Sequence, residues 1–255
     1  MEPVVRVTDL VQKRDGTKIL DGISLEVYRG ECFGLFGPRG AGKTAFLHIL
    51  AGLDRFSGGN VEVLGCDLRK SEGFKHRLGL VTQDKSLFQD LKAGENLDFL
   101  AALKNTGRAG CYRVVEQFQL TDYLNLPVTG LAAGVYQRLA LACALLNEPE
   151  LLLADELFPS IDPLSHHIIA VELKKYLAGG GACILSFNNM DAWARQGFYG
   201  GRDDSGGVKG DDSGRINRVG WLEQGLLTIC RPGEAAAEWE RRVKSFDGQS
   251  GEDHA

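Results

Sequence analysis

Residues 37–44 read GPRGAGKT and fit the pattern G-x-x-x-x-G-K-[ST]. They follow the apolar run CFGLF at 32–36 and precede the helical stretch FLHILAGL. In that context the glycines let backbone N–H groups curl around phosphate oxygens, and the helix N-terminus adds its positive dipole. Gly37, Pro38, Arg39, Gly40, Ala41, Gly42, Lys43, Thr44 and Ala45 are therefore the expected nucleotide-binding residues. Lys43 would reach the β- and γ-phosphates, and the Thr44 hydroxyl would ligate magnesium. Arg39 either adds charge at the phosphates or is simply solvated. Phosphate-anhydride chemistry also needs a carboxylate on the metal side, at the end of a buried strand. LLLADE at 151–156 supplies one in Asp155, with Glu156 one residue further out as the expected base for the attacking water. A guanine-nucleotide switch is a poor rival, because NNMD at 188–191 lacks the lysine of N-K-x-D.

Such residues must be held by a rigid sheet. CFGLF, ELLLA at 150–154 and ACILSF at 182–187 are short, nearly continuous apolar runs, as expected for central strands of a parallel sheet covered on both faces. VVRVTDL at 4–10, ISLEV at 23–27 and VEVLG at 61–65 predict half-buried antiparallel strands; Ile23, Leu25 and Val27 share one face. Helical spacing is expected around 43–53, 95–104, 112–119, 134–146 and 165–178. The stretch from about 84 to 147 contains only helices and loops, so it reads as a helical insertion. The fold class is α/β: a P-loop core, an N-terminal antiparallel β-subdomain and an inserted helical subdomain, within a domain over 1–243. Residues 197–214 repeat DDSG in a Gly/Asp-rich stretch that reads as a flexible surface loop, its acidic spacing matching neither the twelve-residue EF-hand loop nor a glycine-rich calcium nonapeptide, and 244–255 reads as a disordered tail.

Composition bounds the rest. At 255 residues with 44% hydrophobic content the chain can bury a proper core, and a net charge of −5 argues against a nucleic-acid surface. No apolar run approaches a membrane span, and the N-terminal stretch does not read as a signal peptide. The six cysteines are scattered without a CxxC pair, which suits small apolar fillers in a reducing compartment. His48 is read as a packing residue, and His166 and His167 as surface residues.

Four segments in one order carry a resemblance: GPRGAGKT, then GLVTQDKSLFQDLKAGENL around Gln83, then LAAGVYQRLALACALLNEPELLLADE, then SIDP at 160–163. Together they resemble the ATP-binding subunit of an ABC transporter along nearly the whole chain, closest to the drug and lipid exporter branch. The resemblance implies a magnesium-dependent ATPase that closes as a head-to-tail dimer. Gln83 then matches the residue that contacts metal and attacking water, joining Thr44 and Asp155 as metal ligands. Asp162 matches the aspartate that faces the opposite subunit. Leu131, Ala132, Ala133, Gly134 and Val135 occupy the signature that covers the other subunit's γ-phosphate, usually L-S-G-G-Q.

Departures from that pattern matter. Ala132 replaces the serine whose hydroxyl would bond the phosphate, and Ala133 puts a methyl where close backbone approach is expected. Asn188 stands where the family places a histidine on the γ-phosphate; it can donate only a neutral hydrogen bond. The adenine-stacking aromatic near residue 15 is missing, unless Tyr28 or Phe74 moves in. With Lys43, Gln83, Glu156 and Asn188 as the catalytic set, the resemblance implies slow hydrolysis alone. The expected partners are a separate transmembrane permease and a second, unlike ATPase subunit, at the cytoplasmic face of the cell membrane. A regulatory half that clamps ATP with little turnover, and an ABC ATPase not tied to transport, remain the alternatives.

Overall fold

In a computed structural model of the chain, the structure describes residues 2–158, 161–188 and 216–230. The repeat at 197–214 and the tail at 244–255 lie outside these. Ten strands and five α-helices are described, joined in places by single 3-10 turns. β1 (Val5–Arg14), β2 (Thr17–Val27), β4 (Gly58–Val63) and β5 (Cys66–Asp67) form an antiparallel sheet in the order β2-β1-β4-β5. β3 (Cys32–Phe36), β6 (Leu78–Val81), β7 (Leu151–Ala154), β8 (Ala182–Phe187), β9 (Ile216–Glu223) and β10 (Leu226–Cys230) form the second sheet, in the order β10-β9-β3-β8-β7-β6. Every pairing in it is parallel except β9 with β10.

The continuous apolar strands are covered on both faces, as their composition requires. In β7, Leu151 and Leu153 join one core with α1 (Lys43–Leu50) and the antiparallel sheet. Leu152 and Ala154 join another with α2 (Ala93–Leu103), α3 (Gly107–Gln117), α4 (Ala133–Ala144) and α5 (Pro163–Ala178). α2, α3 and α4 fall between β6 and β7 in the chain, and Asn96 fixes the loop before α2: its amide accepts from Phe88 N–H and donates to the Phe88 and Lys92 carbonyls. The alternating β2 pattern also holds, with Ile23, Leu25 and Val27 all buried.

Four strands escaped the sequence reading. LGLV at 78–81 is short and runs into the Gln83 loop, β5 is only two residues long, β9 interrupts its apolar residues with Asn217, Arg218 and Glu223, and β10, apolar in LLTIC, is a half-exposed edge strand. Of the six cysteines, Cys32, Cys143 and Cys183 are buried and the other three half-buried.

At the N-terminal edge of the parallel sheet, Glu150 ties three segments together. Its carboxylate accepts from Arg77 and Arg29, and its N–H donates to the Arg77 carbonyl at 2.8 Å. The Arg77 hydrogen bond first, then Arg29, hold the Glu150 pKa down at about 2, against an ordinary 4.5. A carboxylate depressed on folding stabilises the fold above its unfolded pKa, and that contribution is lost as pH falls from about 4.5 towards 2. Glu150→Gln is expected to cost about 1–2 kcal/mol at neutral pH, discounted because Arg29 is half exposed. The parent and variant stability curves should converge in acid; denaturant melts across pH 2–7 check this, and a pH-independent gap would refute it.

Candidate active site

Because β3, β8, β7 and β6 run parallel, their C-terminal ends emerge at one edge of the sheet, where ligands of such sheets gather. Phe36 leads into the glycine loop, Ala154 into Asp155, Phe187 into Asn188 and Val81 towards Gln83. A cavity of about 560 Å³ opens there. Arg39, Gly40, Gly42, Lys43, Thr44 and Ala45 line it with Gln83, Glu156 and Asn188. Asp155 lies behind, buried, in contact with Thr44. The cavity thus gathers most of the expected nucleotide and catalytic residues.

The loop's tight fit has a local cause. Gly42, the N-cap of α1, has φ +103, and a Cβ there would press on Leu20 Cδ2 at 3.0 Å and the Ile19 carbonyl at 3.2 Å. Glycine alone lets the loop lie against the end of β2. Lys43 is 5% exposed, and its Nζ donates to the carbonyls of Gly37 at 2.7 Å and Pro38 at 2.8 Å. Burial lowers its pKa, Glu156 and Asp155 raise it, and nearby Arg39 lowers it. The ammonium is held at the loop by neutral carbonyls, which an anion with full charges would outcompete.

Asp155 is the hub of the opposite wall. Thr44 Oγ1 donates to its Oδ2 at 2.6 Å, and the Ser186 hydroxyl donates to its Oδ1. Ser186 Oγ in turn accepts from Glu156 N–H at 3.0 Å. Glu156 has φ +51, a left-handed conformation that costs a non-glycine residue about 1 kcal/mol and is anchored here by that N–H bond. Asn188 Nδ2 donates to Glu156 Oε1. The resemblance assigns Asn188 to the γ-phosphate; in this structure its amide holds the expected base instead. A magnesium ion fits the donor set: the Thr44 hydroxyl, the Asp155 carboxylate and the Gln83 amide offer the oxygen ligands this hard cation prefers.

Ser186 was missed by the sequence reading. Its signal was a single hydroxyl in the otherwise apolar run ACILSF. β8 lies between β3 and β7, which brings Ser186 beside the end of β7, where its hydroxyl meets both the Asp155 carboxylate and the Glu156 N–H. His48, expected to pack, lines the cavity with its Nδ1 3.6 Å from Asp54 Oδ2. Neither Tyr28 nor Phe74 lines it: the Tyr28 hydroxyl donates to Glu26, and Phe74 is buried. Arg14 and Ile19 take part in the wall near the hairpin turn instead.

The signature segment does not line this cavity. Ala132 is the N-cap of α4 and offers no side-chain cap; it and Ala133 are exposed. Gly134 is buried, and a Cβ there would lie 2.1 Å from Asp162 Oδ2 and 2.4 Å from Ser165 Oγ. Its glycine is therefore required by packing on α5 as well as by any phosphate. Asp162 caps α5, its Oδ1 accepting from Ser165 N–H at 2.8 Å. Tyr136 joins α4 to the Gln83 segment: its hydroxyl accepts from Leu87 N–H at 3.2 Å. His166, expected at the surface, is half-buried and packs on Phe158 with ring centroids 5.3 Å apart.

A protein-family model described as ABC transporter matches residues 20–158. Nod factor export ATP-binding protein I of Cupriavidus pinatubonensis is 34% identical over 187 residues, covering 71% of this chain and 58% of its own. Daunorubicin resistance ATP-binding protein DrrA3 of Streptomyces coeruleorubidus is 36% identical, with coverages of 72% and 60%. The spermidine/putrescine import ATP-binding protein PotA of Desulfitobacterium hafniense is 31% identical, with coverages of 68% and 51%. The chain thus matches over little more than half the length of these relatives. A solved ATP-binding subunit of an ABC transporter superposes with TM-score 0.76 at 21% identity, covering 93% of each chain. A dimeric ATP-binding cassette bound to ADP and phosphate gives 0.73 at 21% identity, covering 89% of this chain and 98% of its own. At that identity the likeness establishes the fold.

Proposed function

Since the chain belongs to the ABC transporter ATP-binding family, we propose that it is the ATP-binding subunit of an exporter, coupling binding and hydrolysis of ATP to a separate membrane permease. The observation that carries this reading is the convergence of Lys43, Thr44, Gln83 and Glu156 on one cavity, with Asp155 behind them. Lys43 exchanges the Gly37 and Pro38 carbonyls for the β- and γ-phosphates. Glu156 accepts the proton of the attacking water, and Asn188 orients its carboxylate. Ser186 keeps the Asp155 carboxylate and the Glu156 backbone in register. Magnesium, when bound, supplies neutralisation of phosphate charge, with Thr44, Asp155 and Gln83 as its protein-side oxygens.

Export is supported by the names of the Nod factor and daunorubicin-resistance relatives. A permease is supported by an apolar face after the Gln83 segment. Phe88 and Phe99, each 47% exposed, meet edge to face at 4.9 Å, and Leu103 is exposed nearby on α2. No helix among the described residues is long and apolar enough to cross a membrane; on this reading a separate permease provides the membrane path and this subunit sits at its cytoplasmic face. Co-purification with a permease from detergent-solubilised membranes tests this. Recovery of the chain free of any membrane partner would count against it.

The exposed, uncapped Ala132 and Ala133 favour an unlike ATPase partner with an intact signature, and they also favour the second reading, a regulatory half that clamps ATP. In a homodimer both sites would lack the serine hydroxyl, worth roughly ten- to a hundredfold for a bond to a charged group. Ala132→Ser with Ala133→Gly is expected to raise phosphate release of the isolated chain about tenfold or more, and Asn188→His to raise it further. A parent already as fast as the triple variant would refute both the damaged signature and the unlike partner.

A further inference from the structure

Arg39 is a cation without a described counterpart. It sits exposed at the tip of the glycine loop, lines the same cavity as Lys43, and has no carboxylate partner among the described residues. Arg14, beside the hairpin turn in the same wall, likewise has no described ion pair, and the remaining charged groups are engaged. Lys43 is held by two carbonyls, Glu156 by Asn188, and Asp54 faces His48. Arg39 and Lys43 stand in one loop and line the same cavity. Two like charges facing one cavity are relieved by an anion placed between them, and a guanidinium presents a planar fork matched to phosphate oxygens. Position 188 contributes only a neutral amide, and that amide is already turned to Glu156.

We propose that Arg39 is a second phosphate-binding cation that reads the terminal phosphate of a nucleoside triphosphate, supplying the charged contact that Asn188 cannot. This rests on the ATP-subunit reading above and deepens it: the site would discriminate triphosphate from diphosphate through its own loop rather than through residue 188.

The test is calorimetric titration of the full chain with Mg-ATP and Mg-ADP, parent against Arg39→Ala and Arg39→Lys. Arg39→Ala should weaken ATP roughly tenfold or more and ADP less than about threefold, with Arg39→Lys in between, because lysine keeps the charge and loses the fork. Melting temperature should not move, since the side chain is exposed and makes no described hydrogen bond or ion pair. Equal losses for both nucleotides, or none for ATP, would overturn the inference. A double-mutant cycle adds an independent readout. Asn188→His should recover ATP affinity in the Arg39→Ala background by more than it gains in the parent, and additive effects would overturn the compensation. A parent that binds no ATP would instead sink the ATP-subunit reading. A parent that binds ATP while Arg39→Ala is indistinguishable from it sinks only this inference.

Discussion

Glu156→Gln is expected to lower phosphate release at saturating Mg-ATP by about 10²–10⁴-fold while leaving ATP affinity within about twofold of the parent. The glutamine carbonyl can still accept from Asn188, its backbone N–H can still donate to Ser186, and it adopts the same left-handed backbone no less readily. Shape and anchoring survive, and only the capacity to take a proton is lost. Single-turnover hydrolysis is the deciding measurement, because it removes product release and partner association from the rate. A chemical step at the parent rate would mean that Glu156 is not the base, and the bond from Asn188 would then be structural.

Lys43→Ala carries the second large effect, on binding rather than chemistry. The ammonium is 5% exposed and fixed over the loop carbonyls, so its position is set before any nucleotide arrives. Losing a charge-assisted contact to two phosphates should weaken Mg-ATP by about a hundredfold or more. The fold should persist, because truncation leaves no buried charge behind; only the Gly37 and Pro38 carbonyls lose a donor, beside an open cavity. Equilibrium nucleotide titration with a parallel thermal melt separates the two outcomes. Unchanged affinity would sink the assignment of the cavity to nucleotide.

These two residues differ in how far the chain itself reveals them. The glycine loop is contiguous, so its glycines, Lys43 and Thr44 are legible as a run, as are the buried strands whose apolar residues are needed on both faces. Asp155 and Glu156 follow from the end of such a strand. The starts of α4 and α5 were readable to within one or two residues, because a helix start is set by local backbone bonding. The missing side-chain cap at Ala132 was legible for the same reason.

What only the tertiary structure decided are the contacts between segments far apart in the chain. Thr44 and Asp155 are 111 residues apart, and they meet because parallel strands end at one edge of the sheet. Interposing β8 between β3 and β7 gave Ser186 its bridging place, and the same strand end turned the Asn188 amide onto Glu156. The packing of α4 on α5 added a second reason for Gly134 to be glycine, and the fold of the first hairpin against the loop put Arg14 and Ile19 in the cavity wall. Local pattern specifies which element forms, since its hydrogen bonds and periodicity lie within a few residues. Which side chain faces which is set by strand order and helix packing, and no short run of sequence contains that information.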